Sequence, residues 1–414
     1  MADLEVEHLL IGGGVAAAAC AAQLRAGGGQ GSILLATREQ DAPYHRPPCS
    51  KDFLLGRASR EDLLVHPADW WERQEVELRT RSAVMSLDLE ARTARLASKQ
   101  EVRFATALLA TGAMVRRVNV EGSDLEGVHY LRAPGNADAI RADAEPAEDV
   151  VLIGGSFIGC EVAASLTTMG KRCTIVMQES VTLERGFGPT AGGFAQGLLA
   201  DHGVTVIGED DLERFEGSVG RVETVVTKAG HRLPAQLVVM GTGASPDVML
   251  ARRAGLELGE RGGVRASASL ASSAAGVYVA GDMCEFDSPL HGGVVRIEHE
   301  DVAMAQGRTA ARAMLGETVE HTELPYFWSH LADWTTLEYV SAGAAWDEEV
   351  LRGSVDDGTF SVWFLRDGRA QAALSVGRPE DLEAARPLVA AHADLRAQRD
   401  ALADPGTDPS ALGA

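Results

Sequence analysis

An α/β protein with two Rossmann-like dinucleotide-binding domains and a C-terminal α+β domain is predicted by three features of this sequence. Two glycine-rich segments, Gly12-Gly13-Gly14-Val15-Ala16-Ala17 and Gly154-Gly155-Ser156-Phe157-Ile158-Gly159, each follow an apolar strand-like run and open a helix of small residues. Each is followed by a further apolar run, so a strand-loop-helix-strand unit occurs twice. From Leu324 the texture changes to alternating, aromatic-containing runs of antiparallel type. A tight turn without side chains lets the backbone approach a pyrophosphate, whose charge then rests on the positive N-terminus of the following helix. Two such turns imply two dinucleotides. Because moving a hydride needs a donor and an acceptor, one is read as a bound flavin and the other as an exchangeable nicotinamide.

The first unit begins with a strand at 5–11, the glycine loop, a helix to about Gly27 and a strand at 32–36 followed by Glu39. A helix is expected at 59–74, with Ser59 and Asp62 spaced as a capping box. Short strands follow through Val84, Leu96 and Val102 to the apolar run ending Leu108-Leu109-Ala110-Thr111-Gly112. The second unit repeats the design with a strand at 149–153, the second loop, a helix to Met169, a strand at 173–177 and an exit strand at 237–240 before Gly241-Thr242-Gly243. Residues 276–282 then read as a strand ending in a ligand-facing turn at Gly281-Asp282, followed by a helix at 301–315. This segment completes the first unit, giving a discontinuous domain at 1–120 and 247–322 with the second domain, 121–246, inserted in it. The C-terminal α+β domain takes 323–402, with strands at 359–365 and 370–376 and a closing helix at 381–390. Residues 403–414, bearing Pro, Gly, Asp and Ser, are expected to form a disordered tail.

Composition narrows the function. With 414 residues and 45% hydrophobic content the chain can bury two or three domain cores. No stretch reads as a bilayer span or a basic secretory leader, so a cytoplasmic protein with no membrane partner is expected. The 38 basic and 60 acidic residues give a formal charge of −22, which repels nucleic acid. The five cysteines, Cys20, Cys49, Cys160, Cys173 and Cys284, form no Cys-x-x-Cys pair, and the histidines lack metal-ligand spacing, so neither a dithiol couple nor a metal site is expected.

Further segments occur in order: Pro43-Tyr44-His45-Arg46-Pro47-Pro48-Cys49-Ser50-Lys51, Ala110-Thr111-Gly112, Gly281-Asp282, Arg296-Ile297-Glu298-His299 and Phe327-Trp328-Ser329. With the two glycine loops and Glu161, this set resembles the FAD-dependent ferredoxin reductases of oxygenase systems, in the glutathione-reductase-like pyridine nucleotide-disulfide oxidoreductase superfamily. The same set is shared with apoptosis-inducing-factor-like flavoproteins, and Leu331-Ala332-Asp333-Trp334-Thr335-Thr336-Leu337-Glu338-Tyr339 is similar to that second branch.

On the residues themselves, Gly12, Gly14 and Ala17 form the first phosphate turn, and Glu39 at the strand end is placed to accept the hydroxyls of the FAD adenosine ribose. The resemblance implies that Asp282 bonds the ribityl chain, that Arg46 and Lys51 contact the flavin and its phosphates, and that Val84, Thr111, Gly112, Glu298, His299 and Trp328 belong to the same cofactor site. It also implies that Lys51 and Glu161 form a catalytic pair near the flavin that positions the nicotinamide. For the second nucleotide the set is Gly154, Gly155, Ser156, Phe157, Ile158, Gly159, Glu179 and Gly243. Ser156 replaces the usual second glycine and is expected to alter the pyrophosphate geometry slightly. Phe157 is either an aromatic gate over the flavin, as the resemblance implies, or a core phenylalanine. Met177 stands where NAD users often carry an acid, with Glu179 two residues on and no arginine beside it, which favours NADH over NADPH. Glu300 stands where relatives often show tryptophan, a change expected to alter docking of nicotinamide or acceptor.

Three functions follow. The first is an NADH oxidoreductase that passes electrons to a ferredoxin-type iron-sulfur protein, as monomer or homodimer, with a basic patch such as Arg116, Arg117 or Arg132 for docking. The second is an NADH-responsive signalling flavoprotein with slow oxidase activity. The third is a Cys49-dependent oxidase, peroxidase or disulfide reductase, set against a reading of Cys49 as a small buried apolar residue.

Overall fold

The computed structural model describes residues 3–343 and 345–413, which form two compact units. The first comprises the residues up to His45, Glu61–Met114 and Ala244–Pro325. Its sheet runs in the order Val76–Arg79, Ile33–Ala36, Leu4–Ile11, Glu101–Leu109, with the hairpin strands Val84–Asp88 and Thr93–Leu96 beyond and Val277–Val279 pairing in parallel with Glu101–Leu109. The strands around the first glycine loop are parallel and in register: Leu9 faces Leu34 on one side and Ala107 on the other. All four residues of Ile33–Ala36 are buried, as expected for a parallel strand covered on both faces. The helices Val15–Ala26 and Glu300–Met314 pack so closely that a Cβ on Gly307 would lie 2.1 Å from the Ala16 carbonyl oxygen. The small-residue first helix thus serves helix packing as well as the turn that precedes it.

The second unit comprises Arg46–Arg60, Val115–Gly243 and the described residues from Tyr326 onward. Its five-stranded parallel sheet has the order Thr205–Ile207, Arg172–Val176, Asp149–Ile153, Leu237–Met240, Val128–Tyr130. An antiparallel meander, Leu212–Ser218, Arg221–Thr227 and Arg232–Pro234, lies in the chain between its strands Thr205–Ile207 and Leu237–Met240. The C-terminal sheet is antiparallel, in the order Tyr326–Leu331, Thr335–Ser341, Arg369–Val376, Thr359–Arg366, Glu348–Ser354, around fully buried Phe360, Trp363 and Phe364, with helix Pro379–Ala390 packed against it.

Several expectations need correction. The helix expected at 59–74 is two short turns, Glu61–Leu63 and Trp70–Arg73, because Pro67 between them supplies no amide donor. Residues 46–60 group with the second unit, which holds both the second glycine loop and the C-terminal sheet. The tail expected to be disordered from 403 is ordered through Gly413. Helix Arg399–Ala403 is followed by a turn at Pro409–Ala411, and Leu412 is buried. The buried Arg352 holds this segment by donating to the carbonyls of Leu402, Asp404, Pro405 and Thr407 while pairing with Asp381 at 3.0 Å. Short-range composition could not reveal that anchor, because Arg352 lies about fifty residues away.

Candidate functional site

In the first unit, strand Leu4–Ile11 delivers the chain into Gly12 at φ +124°, where a Cβ would lie 2.1 Å from the Ala110 carbonyl oxygen. Only glycine fits there. Gly14 caps helix Val15–Ala26 from an extended conformation, faces open space, and is followed by a first turn without acidic residues, while Ala17 is fully buried. The amides at this helix start therefore present positive charge, with no acidic side chain in the first turn, to the open space beside Gly14.

The adjoining pocket is lined by Gly12, Glu39, Val84, Thr111, Asp247 and Arg253 among others. Glu39 stands in it with one carboxylate oxygen accepting from the Tyr44 hydroxyl at 2.7 Å. Thr111 donates to the Asp247 carbonyl at 2.6 Å and Gly112 accepts from the Asp247 amide at 2.8 Å, so the Ala110-Thr111-Gly112 motif is tied to the segment that follows the inserted module. Arg38 pairs with the Asp247 carboxylate at 2.9 Å. Sequence reasoning missed Asp247 and Arg38, since their pairing is long-range.

Around the second motif of this unit, the Gly281 amide donates to the buried Gln306 side chain at 2.8 Å, a positioning contact no motif announced. Arg296 donates to the Asp282 carbonyl at 2.9 Å and pairs with Glu298 at 2.5 Å. Burial pushes the His299 imidazole down to about 4, so it is neutral at pH 7. Glu300 accepts from His45 at 2.7 Å, and that hydrogen bond raises the histidine's pKa.

In the second unit, a Cβ on Gly154 (φ +108°) would lie 2.4 Å from the Gly241 carbonyl oxygen, and one on Gly159 would meet the Gly154 carbonyl oxygen at 1.9 Å. Gly155 packs on Met177, whose sulfur would be 2.1 Å from an added Cβ. Met177, 2% exposed, is thus a packing partner of the loop. Ser156 caps helix Phe157–Thr168 with its side chain exposed and making no capping bond. Phe157 and Ile158 are half-buried, and the Phe157 ring lies 4.5 Å from that of Phe327 and 5.1 Å from that of Phe187. Gly243 adopts φ +83° and its carbonyl accepts from the Arg116 amide. Glu179 forms an ion pair with Arg185 at 2.6 Å. The expectation that no arginine stands near this acid is thereby corrected: Arg185 lies six positions on, at the start of the following helix.

Lys51 and Glu161 meet at 2.6 Å, both nearly buried. Lys51 also lies 5.2 Å from the centre of the Trp328 ring, and Arg46 donates to the Arg132 carbonyl. Glu161 accepts from the Ser50 hydroxyl at 2.5 Å and the Ser329 hydroxyl at 2.7 Å, two residues whose role sequence reasoning did not foresee. Cys49 is 3% exposed in the turn Pro47–Ser50. Among the described residues no cluster of His, Cys, Asp or Glu is arranged to hold a metal, and no helix is long and apolar enough to cross a membrane.

Comparison with known proteins adds the following. Residues 6–307 match the pyridine nucleotide-disulphide oxidoreductase family and 326–412 the reductase C-terminal domain. Rhodocoxin reductase of Rhodococcus erythropolis is 31% identical over 396 residues, 96% of this chain and 92% of that protein. The benzene 1,2-dioxygenase system ferredoxin–NAD(+) reductase subunit of Pseudomonas putida is 34% identical over 94% of both. Among solved structures, the ferredoxin reductase for the CYP199A2 system from Rhodopseudomonas palustris superposes with a TM-score of 0.94 at 29% identity, covering 99% of this chain and 100% of that one. The reductase in a covalent putidaredoxin reductase–putidaredoxin complex gives 0.89 at 28% identity, over 95% and 94%.

Proposed function

Since the chain belongs to the pyridine nucleotide-disulphide oxidoreductase family and is an FAD-dependent oxidoreductase, we propose that it takes hydride from NADH and passes electrons to a ferredoxin-type iron-sulfur protein. The observation that carries this reading is the pair of glycine cradles, one per unit, each closed to any side chain by a neighbouring strand end and each followed by a helix N-terminus. Two cradles suit one resident and one exchanging dinucleotide. The acceptor is inferred from the names of the relatives, several of which are reductases of dioxygenase systems.

When bound, FAD supplies the chemistry that couples a two-electron donor to a one-electron acceptor. The chain's own residues bind and align. Glu39 accepts ribose hydroxyls, the amides from Gly14 onward hold the FAD pyrophosphate, and those from Ser156 onward hold that of the nicotinamide nucleotide. Lys51 and Glu161 form a fixed charge pair that orients the nicotinamide, which turns a bimolecular encounter into an aligned one. Glu179 favours NADH by accepting ribose hydroxyls, while Arg185 beside it offers a partner to a 2′-phosphate, so discrimination against NADPH is expected to be modest.

Anaerobic stopped-flow reduction by NADH and by NADPH, followed by mixing with a ferredoxin plus cytochrome c or with air, tests this. Fast reduction with reoxidation through the ferredoxin is expected. A reduced protein that persists in air and ignores ferredoxin would instead support the signalling reading. Cys49→Ser is expected to keep full turnover with every acceptor; abolished turnover would restore the thiol mechanism.

A further inference from the structure

Glu161 is gripped by three donors that come from two separate stretches of chain. Ser50 and Lys51 both reach one carboxylate oxygen, Oε2, and Ser329 reaches the other, Oε1. All four side chains are nearly sealed from water, with Ser329 at 0%, Ser50 at 2%, Glu161 at 4% and Lys51 at 8% exposure. The grip is reinforced. Ser165, one helical turn beyond Glu161, donates to the Ser50 carbonyl at 2.8 Å, so helix Phe157–Thr168 holds the Pro47–Lys51 segment at two points. Strand Tyr326–Leu331 serves both members of the charge pair, since Ser329 donates to Glu161 while the neighbouring Trp328 presents its ring to Lys51.

We propose that Ser329, together with Ser50, is a positioning residue that keeps Glu161 ionised and aimed at Lys51, so that the C-terminal sheet sets the charge state of the pair. The proposal rests on the role given to Lys51 and Glu161 above. Its physical basis is the cost of a buried carboxylate. With a hydroxyl donor on each oxygen and an ammonium on one, the ionised form is satisfied, whereas removing the Ser329 hydroxyl leaves Oε1 buried with no donor, and the group answers by holding a proton more tightly. A protonated Glu161 no longer neutralises Lys51. The titratable groups that interact with this carboxylate are Lys51 from the 46–60 segment, His330 from the C-terminal sheet and the neighbouring Cys160 thiol, which burial pushes up, while Asp52 and Glu338 act on the same His330 ring. Burial lowers the His330 pKa below that of a free imidazole.

The test is the pH profile of anaerobic flavin reduction by NADH in the holoprotein. Ser329→Ala is expected to slow reduction roughly tenfold near neutral pH, to leave NADH affinity within about twofold, and to move the acid limb of the profile up by about one pH unit, the size of one lost charge-assisted hydrogen bond. Ser329→Thr, which keeps the hydroxyl, is expected to restore both. In a Glu161→Gln background, where no carboxylate remains to be held ionised, Ser329→Ala is expected to add no further loss. An unchanged rate and acid limb, or losses that add fully in the double variant, would overturn the proposal. If Lys51→Ala and Glu161→Gln themselves reduce at the native rate, the role of the pair fails and the serine proposal falls with it, a result distinguishable from failure of the serines alone. Should Ser329→Ala lose flavin or melt early, Ser50→Ala reads the same dependence at the other oxygen.

Discussion

Residue identity at Gly12, Gly154 and Gly159 follows from distance alone, because any Cβ would overlap a carbonyl oxygen. Other residues acquire meaning only from their partners. Glu300 was expected to alter docking where relatives carry tryptophan, and in the structure it is the hydrogen-bond acceptor of His45. That bond raises the His45 pKa above the 6.5 of a free imidazole, so the stability it contributes is fully present below pH 6.5 and is lost as pH rises through the raised value. Glu300→Gln is therefore expected to lower the melting temperature more at pH 6 than at pH 9. A difference independent of pH would show that the pair is not charged in the folded protein. Both side chains are partly exposed, so the effect is screened by salt.

Elements were legible where periodicity and caps agree. Strands Asp149–Ile153 and Leu237–Met240 lie where the apolar runs place them, and both loop helices start at their glycine turns. The failures have physical causes. Pro67 divides an expected helix, and the C-terminal segment is ordered by Arg352, which is buried with Asp381 and caps several carbonyls at once. Replacing Arg352 with alanine leaves Asp381 with Arg378 and the Ser361 hydroxyl as partners and takes the guanidinium donor from those carbonyls. A loss of about 3 kcal/mol or more is expected on denaturant unfolding, with limited proteolysis opening the chain beyond Ala403. Native-like resistance in that segment would show that Leu412 and its apolar neighbours suffice to hold it.

At the scale of the whole molecule, one glycine cradle in each of two units predicts separable defects. Gly12→Ala is expected to yield protein without flavin colour, because the added methyl pushes the loop off strand Glu101–Leu109. Gly154→Ala is expected to leave a yellow protein whose reduction by NADH is slowed at least tenfold, whereas reduction by dithionite is unchanged. Loss of flavin from both variants would indicate that the two cradles are not independent.

The sequence by itself determined the fold class and the places of the two glycine turns with the helices they open, because each is written in short-range pattern: apolar period, glycine spacing and helix starts. Only the tertiary structure decided that Met177 supports the second loop from below, that Glu179 is paired with Arg185, that Asp247 closes the first pocket, and that Ser50 and Ser329 share Glu161 with Lys51. These are contacts between side chains far apart in the chain or turned toward one another by a loop. Their energy comes from burial and hydrogen bonding that exist only once the chain is folded, so they leave no periodic trace in the order of residues.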